Sequence, residues 1–251
     1  MIHFVGAGCG APDLITLRGK KHIEKADVII YAGSLVNKEL LQYAKKDCVI
    51  YDSAKMTLEE IIGVIEEAER KGLVTVRLHT GDPSLYGAIG EQMQELDRLG
   101  LEYDITPGVS ALSGAAAALK AEYTIPDISQ TVIITRASGR TAVPEKENLI
   151  SLAAHRASLV LFLSTSLLDK VSADLIAGGY DADTPAAIVY KASWSDEKVC
   201  RCTVGTLKQT AEANCITKTA LVTIGDFLRG CSSRSKLYDP GFSTEFREAS
   251  K

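Results

Sequence analysis

Ile2-His3-Phe4-Val5-Gly6-Ala7-Gly8-Cys9-Gly10-Ala11 is a short apolar strand that runs directly into a glycine turn, and the same grammar returns along the first half of the chain. Val28–Tyr31, Cys48–Tyr51, Val74–Leu78 and Leu101–Ile105 also read as strands, each followed by a turn and an amphipathic stretch. Strands that alternate with helices predict an α/β fold with a mainly parallel sheet and helices on its faces. The clearest helix begins at Thr57, where Thr57-Leu58-Glu59-Glu60 has the capping-box pattern and Ile61, Ile62, Ile65 and Ala68 form an apolar stripe. Arg70 and Lys71 ahead of Gly72 supply its stop, and a second helix predicted over Ala88–Leu99 stops at Gly100 in the same way.

An alanine-rich helix, Ala111–Leu119, follows, and then a looser stretch through Ile125-Pro126-Asp127 that reads as the connection to a second domain. Thr131–Thr135, Leu159–Leu163, Ala186–Tyr190, Lys198–Thr203 and Ala220–Ile224 are its predicted strands, with helices near Thr165–Ala177 and Leu207–Ala213. Two successive strands with no helix between them, at 186–190 and 198–203, predict a hairpin and hence a mixed sheet. The expected division is an N-terminal α/β domain over 1–120, a C-terminal α/β domain over 121–231 and a polar tail over 232–251. The tail carries Pro240 and Gly241 and is expected to be poorly ordered or draped on a neighbour.

With 251 residues, 46% of them hydrophobic, the chain can bury one large core or two modest ones. Its formal charge of −4 speaks against a nucleic-acid partner, although a locally basic cleft could still hold a small anion. No apolar run approaches the roughly 18 to 20 residues that span a bilayer. The N-terminus shows no basic segment followed by a long apolar core, so a cytoplasmic location is expected. The six cysteines are scattered. Cys200 and Cys202, separated by one residue, do not have zinc or thioredoxin spacing, and reduced thiols are expected. Histidines 3, 22, 79 and 155 lie far apart, so no metal centre is expected.

Three loops carry the chemistry. Gly6-Ala7-Gly8-Cys9-Gly10-Ala11 fits the dinucleotide pattern G-x-G-x-x-G/A, but that site needs an acidic residue after the second strand, and Val28–Tyr31 runs into Ala32-Gly33. Pro12-Asp13-Leu14 also delays the following helix, which disfavours nicotinamide and flavin cofactors. Thr80-Gly81-Asp82-Pro83-Ser84-Leu85-Tyr86-Gly87 leaves a strand at the carboxyl edge, where open parallel sheets bind ligands; its plainer reading is a Gly-Asp-Pro turn. Thr106-Pro107-Gly108-Val109-Ser110-Ala111-Leu112-Ser113-Gly114 has leucine where a hydrolase elbow needs its second glycine, so a serine nucleophile is disfavoured. Ser110 reads instead as a helix N-cap that could also donate to a bound carboxylate or ribose. Together the loops could line one pocket for a small polar cofactor, and the residues alone leave that cofactor unidentified.

At these residues the chain resembles the tetrapyrrole methylase family, whose opening pattern VGAGPGDPxLLTLRG is matched by Val5-Gly6-Ala7-Gly8-Cys9-Gly10-Ala11-Pro12-Asp13-Leu14-Ile15-Thr16-Leu17-Arg18-Gly19. The family's GDP loop falls on Gly81-Asp82-Pro83 and its PG[IV][ST]A segment on Pro107–Ala111. Tyr31–Val36, Thr135–Thr141 and Ser235–Pro240 look like the precorrin-4 branch, whereas uroporphyrinogen-III methyltransferases carry an aspartate where this chain has Ala32.

The resemblance implies two α/β domains with S-adenosylmethionine folded in the cleft between them, usually in a homodimer. It also implies methylation of a tetrapyrrole, at carbon 11 of precorrin-4 or cobalt-precorrin-4. Carried onto this chain, the cofactor would meet Cys9, Gly81, Asp82, Leu85, Ser110 and Ala111 from the first domain, and Leu163, Ala192, Thr219 and Ala220 from the second. The substrate's carboxylates call for basic residues, and Lys55, His79, Arg136, Arg140 and Lys191 are the candidates. A sulfonium methyl donor needs orientation more than acid–base machinery, so no triad is required; Asp82 and Tyr86 are the candidates for any proton acceptor.

Overall fold

The structure, a computed structural model, describes residues 1–230 and 235–250. Cys231 and part of the expected tail therefore lie outside the described residues. The chain divides into two compact units, Met1–Gly114 with Lys191–Glu197, and Ala115–Tyr190 with Lys198–Lys251.

In the first unit, β1 (Ile2–Gly6), β2 (Val28–Tyr31), β3 (Val49–Asp52), β4 (Thr75–His79) and β5 (Tyr103–Thr106) form one sheet in the order β3-β2-β4-β1-β5. Every pairing is parallel. Parallel neighbours need crossovers, here α1 (Leu17–Lys25), α2 (Leu58–Arg70) and α3 (Gly90–Arg98) with shorter 3-10 turns. Side chains alternate across the strands, so the two faces bury different sets. Ile2, Phe4, Val28 and Ile30 pack with Ile61, Ile62 and Ile65 of α2 and Leu96 of α3. Val5, Ile29, Val76 and Leu78 pack with Ile23 of α1 and with Leu40. The capping box at Thr57 forms as expected, with Thr57 and Glu60 each bonding the other's backbone.

In the second unit, β6 (Val132–Arg136), β7 (Ser158–Phe162), β8 (Pro185–Tyr190), β9 (Lys198–Thr203) and β10 (Ala220–Ile224) make a mixed sheet in the order β6-β7-β10-β8-β9. Only β6 and β7 pair in parallel. After α4 (Ala111–Leu119) and α5 (Leu149–Ala153), Leu159, Leu161, Ile188, Val222 and Ile224 form its core with Leu168, Val171 and Leu175 of α6 (Leu168–Ala177) and Leu207 of α7 (Leu207–Ala213).

Some expected boundaries shift for local reasons. The helix expected from Ala88 starts at Gly90, because Tyr86 and Ala88 take left-handed backbone conformations, φ 58° and 50°. The helix expected from Thr165 opens as a 3-10 turn, Thr165–Leu167, before α6. The first unit closes at Gly114, inside the alanine-rich helix Ala111–Leu119, ahead of the division expected at residue 120. The seven residues Lys191–Glu197 after β8 group with the first unit, a placement that hydrophobic periodicity does not show. Among the described residues, no helix is long and apolar enough to cross a membrane.

Leu161 is fully buried in the second core. Leu161→Ala should cost about 2–5 kcal/mol in a denaturant titration. A loss below about 1 kcal/mol would contradict its central packing.

Candidate functional site

Strands β4, β1 and β5 are neighbours, so the loops that leave their carboxyl ends start side by side on one sheet edge. They converge through glycine. Gly8 and Gly81 exchange both backbone hydrogen bonds, Gly8 N–H to the Gly81 carbonyl at 3.2 Å and Gly81 N–H to the Gly8 carbonyl at 2.8 Å. A Cβ on Gly108 would lie 2.1 Å from the Gly81 carbonyl oxygen and 2.8 Å from Gly6 Cα, so only glycine fits there. Gly81 also needs its left-handed backbone, φ 60°.

Asp82 clamps this junction. Its Oδ2 accepts from Gly108 N–H at 2.9 Å, while Oδ1 accepts from Ser84 N–H at 2.9 Å and from the Ser84 hydroxyl. Partial burial pushes the carboxyl up, but the Ser84 hydroxyl and the two N–H donors outweigh it and hold the group below the usual carboxylate value. The Ser110 hydroxyl accepts from Leu112 N–H at 3.2 Å, the N-cap role expected of it. Leu85 closes the turn by donating its N–H to the Asp82 carbonyl at 3.2 Å.

Lys191–Glu197 lies against the glycine loop. The Ser193 hydroxyl accepts from Ala11 N–H at 2.9 Å and lies 3.3 Å from the Cys9 thiol, and Trp194 Nε1 donates to the Cys9 carbonyl at 3.1 Å. A Cβ on Gly10 would sit 2.2 Å from the Trp194 ring, which explains the third glycine of the opening motif. Asn37 donates to the Gly10 carbonyl at 3.0 Å. A cavity of about 600 Å³ beside this loop is lined by Ala11, Pro12, Asn37 and Glu39 with Lys191, Trp194 and Asp196.

Of the residues expected from the second domain, Ala192 falls instead in the first unit, within Lys191–Glu197, and the others gather on one edge of the second unit's sheet. Leu163 follows β7, Ala220 opens β10 beside Tyr190 of β8, and Thr165 Oγ1 donates to the Ala220 carbonyl at 3.1 Å. Leu163 and Thr219 are left-handed, φ 51° and 58°, and Leu163 is 66% exposed. Left-handed backbone at non-glycine residues is a strained conformation that clusters at functional sites.

A family model for tetrapyrrole (corrin/porphyrin) methylases matches residues 1–208. The chain belongs to this family. Among its relatives, the cobalt-precorrin-4 C(11)-methyltransferase of Methanocaldococcus jannaschii is 54% identical, over 98% of this chain and 96% of that protein. The precorrin-4 C(11)-methyltransferase of Pseudomonas aeruginosa is 44% identical over 90% of each. A solved cobalt-precorrin-4 methyltransferase, described as a cobalamin biosynthetic enzyme, superposes with a TM-score of 0.89 at 48% identity, covering 90% of this chain and 95% of the other.

The basic residues of this methylase fare differently from one another. Lys55 and Arg140 are exposed. Arg136 donates to the carbonyls of Thr141 at 3.0 Å and Ala142 at 2.6 Å, bracing the loop after β6, and Lys191 pairs with Asp196 at 2.6 Å. His79 corrects the expectation of a cation for substrate carboxylates. It is 3% exposed on the central strand, and burial, with Arg77 adding to it, pulls its pKa down to about 3, so it is neutral at physiological pH. Its Nε2 has no hydrogen-bond partner among the described residues. Asp82 is also corrected as a proton acceptor: both oxygens are engaged, and a depressed pKa makes a weaker base. Arg77, buried beside His79, bonds Gln92 Oε1 at 2.9 Å and the Ile30 carbonyl at 3.0 Å. Burial lowers it to about 10, which leaves it charged. Gln92 passes the connection on to the Ala88 carbonyl at 3.0 Å, supporting the turn behind Tyr86.

The structure also joins what the sequence separated. His3, His22 and Asp104 bring their ligand atoms within 4.8 Å of one another, contrary to the reading of scattered histidines.

Because the His79 pKa is depressed in the fold, its contribution to stability is present above the unfolded value of 6.5 and is lost as pH falls toward about 3. His79→Gln should flatten the acid limb of a melting-temperature profile over that window, where the native protein loses on the order of a few kcal/mol. An unchanged acid limb would contradict the buried neutral ring.

Proposed function

We propose that this chain is an S-adenosylmethionine-dependent methyltransferase acting on carbon 11 of precorrin-4 or cobalt-precorrin-4 in cobalamin biosynthesis. The observation that carries the reading is the glycine junction of Gly6, Gly81 and Gly108, a main-chain wall at a sheet edge, in a chain about half identical over nearly its whole length to a cobalt-precorrin-4 methyltransferase. The higher identity to that relative than to the precorrin-4 enzyme of Pseudomonas aeruginosa favours the cobalt-containing acceptor.

The residues fit the cofactor. The glycine junction brings the three loops together at one sheet edge, where Gly81, Leu85, Ser110 and Ala111 would offer backbone groups to a polar ligand. Cys9 and Ala192 would meet it from the loops joined by Ser193 and Trp194, and Leu163, Thr219 and Ala220 from the second-unit edge. S-adenosylmethionine supplies an activated methyl group on a sulfonium, ready for in-line displacement. What remains for the protein is orientation and exclusion of water. Asp82 serves by holding the loops rather than by moving a proton. Tyr86, half-exposed on a left-handed turn, remains the side chain proposed for proton transfer at the acceptor. Lys55, Arg136, Arg140 and Lys191 are proposed for the substrate carboxylates, with arginine suited to bidentate contacts. A homodimer in the cytoplasm completes the proposal, in keeping with the free thiols of Cys9, Cys48, Cys200, Cys202 and Cys215.

Calorimetry should show one S-adenosylhomocysteine bound per chain, and Asp82→Ala should weaken it at least tenfold. An absence of binding heat across the titration would overturn the assignment. Incubation with the cofactor and cobalt-precorrin-4 should add one methyl group by mass spectrometry. Arg140→Ala should raise the tetrapyrrole KM several-fold with kcat little changed, and an unchanged KM would remove Arg140 from the substrate site.

A further inference from the structure

We propose that His3, His22 and Asp104 form a binding site for a divalent late transition-metal ion of the zinc and nickel class, tying β1, β5 and α1 together away from the ligand-binding edge. The parallel register sets His3 directly beside Asp104, and His22, in the last turn of α1, stands over the same face. The His3 Nδ1 to Asp104 Oδ1 distance is 2.9 Å, and the two imidazoles lie 3.9 Å apart between ring centroids, tilted by 31°.

The donor set suits such an ion. Two imidazoles and one carboxylate are the ligands that zinc and its neighbours take, with water free to complete the shell. Metal–ligand bonds of about 2.0–2.2 Å put neighbouring ligand atoms about 3.0–3.6 Å apart. The His3–Asp104 pair, at 2.9 Å, lies just under that spacing and all three atoms lie within 4.8 Å, so small side-chain rotations would bring the set to it. The site is open on one side, since the Asp104 side chain is 50% exposed while His3 is 13% exposed. His3 precedes the glycine junction by roughly 10 Å of strand, so an ion here acts on the unit's stability rather than on the reacting groups. Arg18 and Lys25 act on His22 electrostatically and oppose a cation, so the affinity expected is modest.

The test is titration of the whole chelator-treated chain with Ni2+ alone, followed by calorimetry and thermal melting, alongside His22→Gln and Asp104→Asn. The expected result is one Ni2+ per chain at micromolar affinity and a melting temperature raised by several degrees. Both variants should weaken binding at least tenfold and lose that rise, while S-adenosylhomocysteine still binds them. No Ni2+ binding to the wild type would overturn the proposal, as would undiminished binding in the variants, which would assign the metal to the thiols. Should one variant fail to fold by circular dichroism, the other decides the outcome.

Discussion

The close approach of Gly108 to the Gly81 carbonyl, sealed by the Gly108 N–H bond to Asp82, is the contact on which the rest of the first unit's carboxyl edge depends. Loops from β1, β4 and β5 meet there with no side chain between them. Main chain against main chain tolerates no added methyl group, so the geometry is set by excluded volume rather than by weak surface attractions. The carboxylate of Asp82 then satisfies the N–H groups that such a tight junction would otherwise strand. Ser84 and Gly108 together keep it ionised, and it becomes part of the scaffold.

Electrostatics are divided by depth. On the face packed by α2 and α3, the central strand carries Thr75, Arg77 and His79, all buried, where an ordinary parallel strand would be apolar. Arg77 keeps its charge by bonding Gln92 and the Ile30 carbonyl, and its presence helps to hold His79 neutral. Of the cations proposed for the substrate, two stay exposed on turns and loops: Lys55 after β3 and Arg140 in the loop after β6. That division leaves the buried strand to set shape, while the exposed cations remain free to meet solvent or ligand.

Much of the fold was legible because hydrophobic periodicity and glycine punctuation are local. The parallel sheet, the hairpin of β8 and β9 and the capping box at Thr57 follow from residues within a few positions of one another. The convergence of the three loops was also expected, since all leave the same edge, although the family pattern was needed to name a cofactor. What stayed hidden depends on distant pairs. Nothing near Gly10 shows that it must be glycine to admit Trp194, and the chain's one tryptophan, within Lys191–Glu197, was the available signal. His3, His22 and Asp104 meet only through the β1–β5 register and the seating of α1. His79 looked like an available cation because a histidine after an apolar run resembles a strand end, whereas the central position of β4 buries it.

The most direct measurement is S-adenosylhomocysteine titration of Gly108→Ala beside the wild type, with circular dichroism reporting the fold. The account predicts that a single methyl group pressed against the Gly81 carbonyl spreads the loops and weakens binding by at least tenfold while both units stay folded. Wild-type affinity in that variant would contradict it, because the ligand would then not depend on the junction of the three loops.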